Sequence, residues 1–244
     1  MKSSKKERLN LDIMGKKEKK ETSPSANNRK KDLEKDKKIS PDIALQAVQP
    51  TRFIQEILGH LEKANHIRAE DLPNINLYMD QVTTLMEEEL AFTKRNDGDK
   101  VLTKTMINNY AKNNVLPPPE KKKYSKDQLL ILILIYYLKN VLVIRDIDKI
   151  LSPVISEFYH STTEFTFADV YNEIIQTEEN AKNSWHQSIL DTWEVSRHDF
   201  EQAPSEHQDV LQLFSFICAL SFDVYKKKLL LERLIDKLPE TKDG

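Results

Sequence analysis

The stretch that most constrains this chain is LLILILIYYL, residues 129–138, ten consecutive apolar or tyrosine residues. A membrane span needs about 20 such residues, so the run predicts a buried helix instead. A helix that is apolar all round must be covered on more than one side. Other parts of the chain therefore have to pack around residues 129–138.

The run begins with a strong start signal: Ser125 is a good N-cap, and Gln128 stands at the third helical position as in a capping box. Upstream lie Lys121-Lys122-Lys123, and before them Pro117-Pro118-Pro119. The prolines cannot continue a helix and force an extended path. Before them, residues 103–113 have the helical period. Thr103, Met106, Ile107 and Tyr110 fall on one side; Lys104, Thr105, Asn108, Asn109 and Lys112 fall on the other. Asn114 suits a left-handed helix end.

The outer face of that helix offers ammonium groups and carboxamides and no carboxylate. Lysines neutralise phosphates, and asparagine can pair with the edge of adenine in the major groove. An ordinary solvated face can look the same. The sequel favours the first reading: a short helix, a stiff basic arm and a second helix are what a winged helix-turn-helix needs.

The segment MINNYAKNNVLPPPEKKKYSKDQLLILILI resembles the head of the mercury-resistance-regulator (MerR) transcription factors. Those read roughly T-I-R-Y-Y-E-x-x-G-L-L-x-P, then Y-R-x-Y-S and a long apolar helix. Met106-Ile107-Asn108-Asn109-Tyr110 sits on T-I-R-Y-Y, Val115-Leu116 on the paired leucines, and Lys121-Lys122-Lys123-Tyr124-Ser125 on Y-R-x-Y-S. Residues 144–151 resemble the short helix that follows. The pattern LTKTMINNY…LPPPEKKKYSKDQ is closer still to an uncharacterised bacterial family with a MerR-like head, which would cover residues 50–240. Three positions depart from the MerR pattern: Asn108 replaces Arg, Asn109 replaces the first Tyr, and Asn114 replaces Gly. The first two alter which bases and phosphates are touched.

The resemblance implies a DNA-binding transcriptional regulator, a repressor rather than an activator, with double-stranded DNA as partner. The expected contacts are Lys104, Thr105, Asn108, Asn109 and Lys112 on the recognition helix, with Lys121, Lys122, Lys123 and Tyr124 on the wing. The competing reading is an interaction or scaffold protein that keeps the helix-turn-helix shape without reading DNA.

Charge is segregated although the net charge is −2. Residues 1–40 carry 14 Lys and Arg against 7 Asp and Glu; residues 101–126 carry 6 Lys against Glu120 alone. Residues 152–224 carry only Lys182 and Arg197 against 13 acids. A basic head and acidic rear would orient the molecule towards a polyanion. The lone Cys218 lies among apolar neighbours, which predicts a buried inert thiol and a reducing, cytoplasmic setting. Four unclustered glycines exclude a phosphate-cradling loop. Six scattered histidines have no ligand spacing, and no acid, base and nucleophile converge, so neither a metal, a cofactor nor an enzyme is expected. Trp185 and Trp193 are read as core.

Few glycines and many Leu, Glu and Lys point to an all-α protein. We expect a disordered basic tail at 1–40 that is not a signal peptide, a winged head at 41–152, and a helical dimerisation or sensor domain at 153–244. Helices are predicted over 40–61, with Phe53, Ile54, Ile57, Leu58 and Leu61 inward, over 77–92, and over a short 145–151 closed near Ser152-Pro153. In the rear they are predicted over 168–182, 184–199 and 205–238. The apolar rear predicts a homodimer, with room for an effector and no membrane span.

Overall fold

The computed structural model describes residues 49–61, 66–96 and 98–239. The tail at 1–40 and the helix start near residue 40 lie outside the described residues. Among the described residues there are seven α-helices and two short strands: α1 (Pro50–Leu61), β1 (Leu77–Tyr78), α2 (Met79–Glu89), α3 (Lys104–Lys112), β2 (Lys123–Tyr124), α4 (Lys126–Leu138), α5 (Ile144–Phe158), α6 (Phe167–Ser196) and α7 (Ser205–Lys237). The described chain is thus mostly helical, as composition predicts.

Helix α4 is the axis of packing. Every residue from Gln128 to Tyr136 is buried. Its apolar surface is covered by Val82 and Met86 of α2, Ile107 and Tyr110 of α3, Ile147 and Leu151 of α5, and Phe167, Tyr171 and Ile175 of α6. Burying one such aliphatic side chain contributes about 1.5–3 kcal/mol, so this one helix makes the head and the start of the rear a single cluster. Among the described residues no helix is long and apolar enough to cross a membrane.

Three elements differ from expectation. The helix predicted from residue 77 starts at Met79, because Leu77 and Tyr78 are extended and pair antiparallel with Tyr124 and Lys123. The helix predicted to close near Ser152-Pro153 runs on to Phe158. Pro153 costs about 3 kcal/mol inside a helix. The apolar period nevertheless continues past it: Ile147 and Leu151 are buried, and Val154, Ile155 and Phe158 also pack on the core. The break predicted between 182 and 184 is absent; α6 is one helix of 30 residues. Ser184 turns its hydroxyl back onto the Ala181 carbonyl at 2.8 Å, so it neither caps nor breaks the helix. The start of α6 is as predicted, with Thr166 as N-cap and Asp169 closing the capping box. Those hydrogen bonds, from the Thr166 side chain first, hold the Asp169 carboxyl below its usual range.

The segment before β1 is fastened to α6. The Tyr171 hydroxyl donates to the Ile67 carbonyl at 2.7 Å, and Asn172 Oδ1 accepts from the Ala69 N–H at 3.0 Å. Arg68 pairs with Glu179, and His66 with Glu178. A second, smaller core lies further along α6, where Ile54 and Leu58 of α1 meet Trp193 and Phe216. Trp193 donates its indole N–H to Thr51 Oγ1 at 3.1 Å and meets the Phe216 ring edge-on at 5.5 Å. Only Ile54 and Leu58 of the five predicted α1 residues are buried; Phe53, Ile57 and Leu61 are exposed. Trp185 is exposed too, and Cys218 is half-buried rather than sealed in the core.

Candidate nucleic-acid interface

Helix α3 is built as its sequence predicts. Thr103 caps it, accepting the Met106 N–H at 3.2 Å. At the other end Asn114 is left-handed, with φ 59°. Val115 N–H reaches the Tyr110 carbonyl at 3.0 Å and Asn114 N–H reaches Ala111 at 3.2 Å, the paired bonds of a Schellman cap. Ile107 and Tyr110 are buried against the core, and burial pushes the Tyr110 phenol pKa up. Lys104, Thr105, Asn108, Asn109 and Lys112 are all exposed. Lys104 reaches across to Asp80 at the start of α2 and forms an ion pair with it.

The loop between α2 and α3 is closed by Glu87, a residue with no signature in the sequence. Its carboxylate pairs with the Lys94 ammonium and accepts the Val101 N–H at 3.2 Å. The Lys94 hydrogen bond, and then the Val101 one, hold its carboxyl below the usual range. This clamp ties both ends of the loop to α2 and so sets where α3 begins.

The proline arm is held by one buried side chain. Gln128, with no exposed surface, donates from Nε2 to the Pro117 carbonyl at 2.8 Å and to Pro118 at 3.1 Å. Its Oε1 accepts the Ser125 N–H at 2.8 Å. One amide therefore caps α4 and fixes the path of residues 117–119. The chain then reverses at Lys121 and Lys122, both left-handed at φ 50° and 65°. Lys123 N–H closes the turn on the Glu120 carbonyl at 2.9 Å. Positive φ at both central residues is the two-residue hairpin geometry that normally selects Asn-Gly.

Lys121 and Lys122 are exposed at this tip. Lys123 is half-buried, its ammonium 4.9 Å from the centre of the Tyr78 ring across the β1–β2 pair. Tyr124 is not at the surface: it is 2% exposed and packs in the main core. Adjacent strand residues face opposite ways, so with Lys123 outward Tyr124 must point in. Of the nine residues expected to contact DNA, Tyr124 is placed instead as the anchor of the hairpin. Tyr78, exposed beside Lys123, joins the surface that the sequence left out.

A cleft of about 430 Å³ opens between α2 and the start of α3, lined by Thr83, Glu87, Lys100, Thr103 and Lys104 among others. Its mixed charge gives it no single ligand chemistry. Among the described residues no cluster of His, Cys, Asp and Glu could hold a metal ion.

Residues 67–174 match the family model described as a domain of unknown function, DUF1836. The match runs from the segment fastened to α6, through β1 to α5, and into the first turns of α6. No curated protein and no solved structure matches the chain.

Proposed function

We propose that β1 to α5 form a MerR-like winged helix-turn-helix that binds duplex DNA, as the head of a transcriptional regulator. Helix α3 enters the major groove, with Asn108 and Asn109 on base edges. Lys121, Lys122 and Lys123 grip the adjacent backbone. The observation that carries this reading is the hairpin tip. A left-handed residue other than glycine costs about 1–2 kcal/mol, and here two lysines in succession accept that strain. Asn-Gly would make the same turn without it, so the ammonium groups are retained for what they bind. The neighbouring α3 face carries no carboxylate, and Lys104 can exchange Asp80 for a phosphate.

The test is salt-dependent binding of the full chain to labelled duplexes of random sequence. Changing Lys121, Lys122 and Lys123 together to Ala should weaken binding to all duplexes alike. It should also reduce the log–log salt slope by about 0.9 for each phosphate no longer neutralised. An unchanged slope removes the wing from the interface. No affinity for any duplex would favour a scaffold that keeps the shape alone.

A further inference from the structure

The backbone of Tyr78 is fixed twice. It pairs with Lys123 in the β1–β2 ladder, and its N–H donates to Gln81 Oε1 at 2.9 Å as the N-cap residue of α2. Its side chain serves neither role. An N-cap favours Ser, Thr, Asp or Asn, whose side-chain oxygen accepts a backbone N–H of the first turn. Tyr78 makes no such bond, and the residue is 54% exposed. Leu77 beside it is buried, and successive strand residues face opposite ways, so the Tyr78 ring faces outward.

That position joins the two halves of the basic surface. Two residues on, Asp80 forms an ion pair with Lys104 at the start of α3. Across the ladder, Lys123 sets its ammonium over the Tyr78 ring. Lys123 is in turn the next residue after the left-handed pair Lys121 and Lys122. Tyr78 therefore lies between the start of α3 and the hairpin tip.

The negative face of an aromatic ring holds a cation, while the phenolic O–H at the ring edge stays a neutral donor. An ammonium and a phenol held side by side suit a phosphodiester: one supplies charge, the other a directed hydrogen bond. Tyrosine is among the side chains that hydrogen-bond phosphate in protein–DNA interfaces. We propose that Tyr78 donates its phenolic O–H to a backbone phosphate of the duplex, between the groove entered by α3 and the phosphates gripped by the tip. This rests on the duplex-binding reading and adds to it a contact of a different kind. Lysine contacts release counterions and weaken with salt, whereas a phenol carries no charge and releases none. The Tyr78 bond is thus the part of the wing's affinity that salt does not screen. It also carries no sequence information, because every duplex offers the same phosphate.

The test is titration of the full chain and its Tyr78→Phe variant with two labelled duplexes of unrelated sequence, over a series of salt concentrations. The substitution removes one oxygen and keeps the ring beneath Lys123, so the ladder and the cation contact survive. The variant should unfold at the same urea concentration as the unaltered chain. It should bind both duplexes about ten-fold more weakly at every salt concentration, with an unchanged log–log slope. Equal affinity of the two proteins would overturn this contact and leave the duplex-binding reading standing. A loss on one sequence alone would overturn the assignment to phosphate. A flatter slope would mean that a lysine contact had been lost, and would overturn the role of the phenol. No binding of either duplex by the unaltered chain would remove the duplex-binding reading, and this contact with it.

Discussion

At the scale of single residues, four side chains shape the head: Glu87, Gln128 and the Lys121–Lys122 pair. On the proposed reading, the lysine tip opposes stability to binding. Replacing Lys121 with Asn and Lys122 with Gly relieves two strained backbone positions, and should stabilise the fold by about 1–2 kcal/mol. The same change should weaken DNA binding and flatten its salt dependence. Urea unfolding and duplex titration of one preparation check both; a less stable variant would show that the turn does not strain the lysines. Glu87 makes a pH prediction. Its folded carboxyl is held below the usual range, so the clamp adds stability above the unfolded carboxylate pKa. That stability is lost as pH falls through the lower, folded value. Glu87→Gln cannot titrate, so its unfolding midpoint should fall less steeply on the acid side. Parallel curves for the two proteins would mean that the clamp is not formed.

At the scale of elements, α3 and α4 were the most legible. The period of residues 103–113 divides α3 into the buried Ile107 and Tyr110 and the exposed Asn108 and Asn109. The Ser125–Gln128 box marks the start of α4, and its all-round apolar run is buried as predicted. What was not legible is non-local. Leu77 and Tyr78 look like the first turn of α2 until strand pairing with residues 123 and 124 pulls them out. That pairing also turns Tyr124 inward. Pro153 and Asn183-Ser184 look like breaks, but burial beyond Pro153 carries α5 on, and α6 runs through Ser184, whose hydroxyl turns back onto the Ala181 carbonyl. The second role of Gln128 needed the proline carbonyls brought beside it. For α3 itself, Asn108→Ala or Asn109→Ala should cost about 1–3 kcal/mol on a cognate duplex and little on a random one. Equal losses on both would reduce these residues to backbone contacts.

At the scale of the whole molecule, head and rear share one core. Phe167, Tyr171 and Ile175 of α6 cover α4, and Ile235 of α7 belongs to the same cluster. A chain ending at Ser152 should therefore aggregate or lose its cooperative unfolding transition, rather than persist as a minimal DNA-binding head. A sharp thermal transition from that fragment would show that the rear is not needed to cover α4. Acidic residues gather at 152–224 and lysines at 101–126, so in the proposed reading the basic head is the end turned towards a polyanion. As proposed, this head reads sequence in duplex DNA. The most direct measurement is selection of bound fragments from a genomic duplex library by the full chain, at physiological salt, beside the Asn108→Ala, Asn109→Ala double variant. The unaltered chain should enrich one short motif, and the variant should lose it while retaining unspecific binding. Retention of no duplex above background, or the same motif enriched by both proteins, would contradict it.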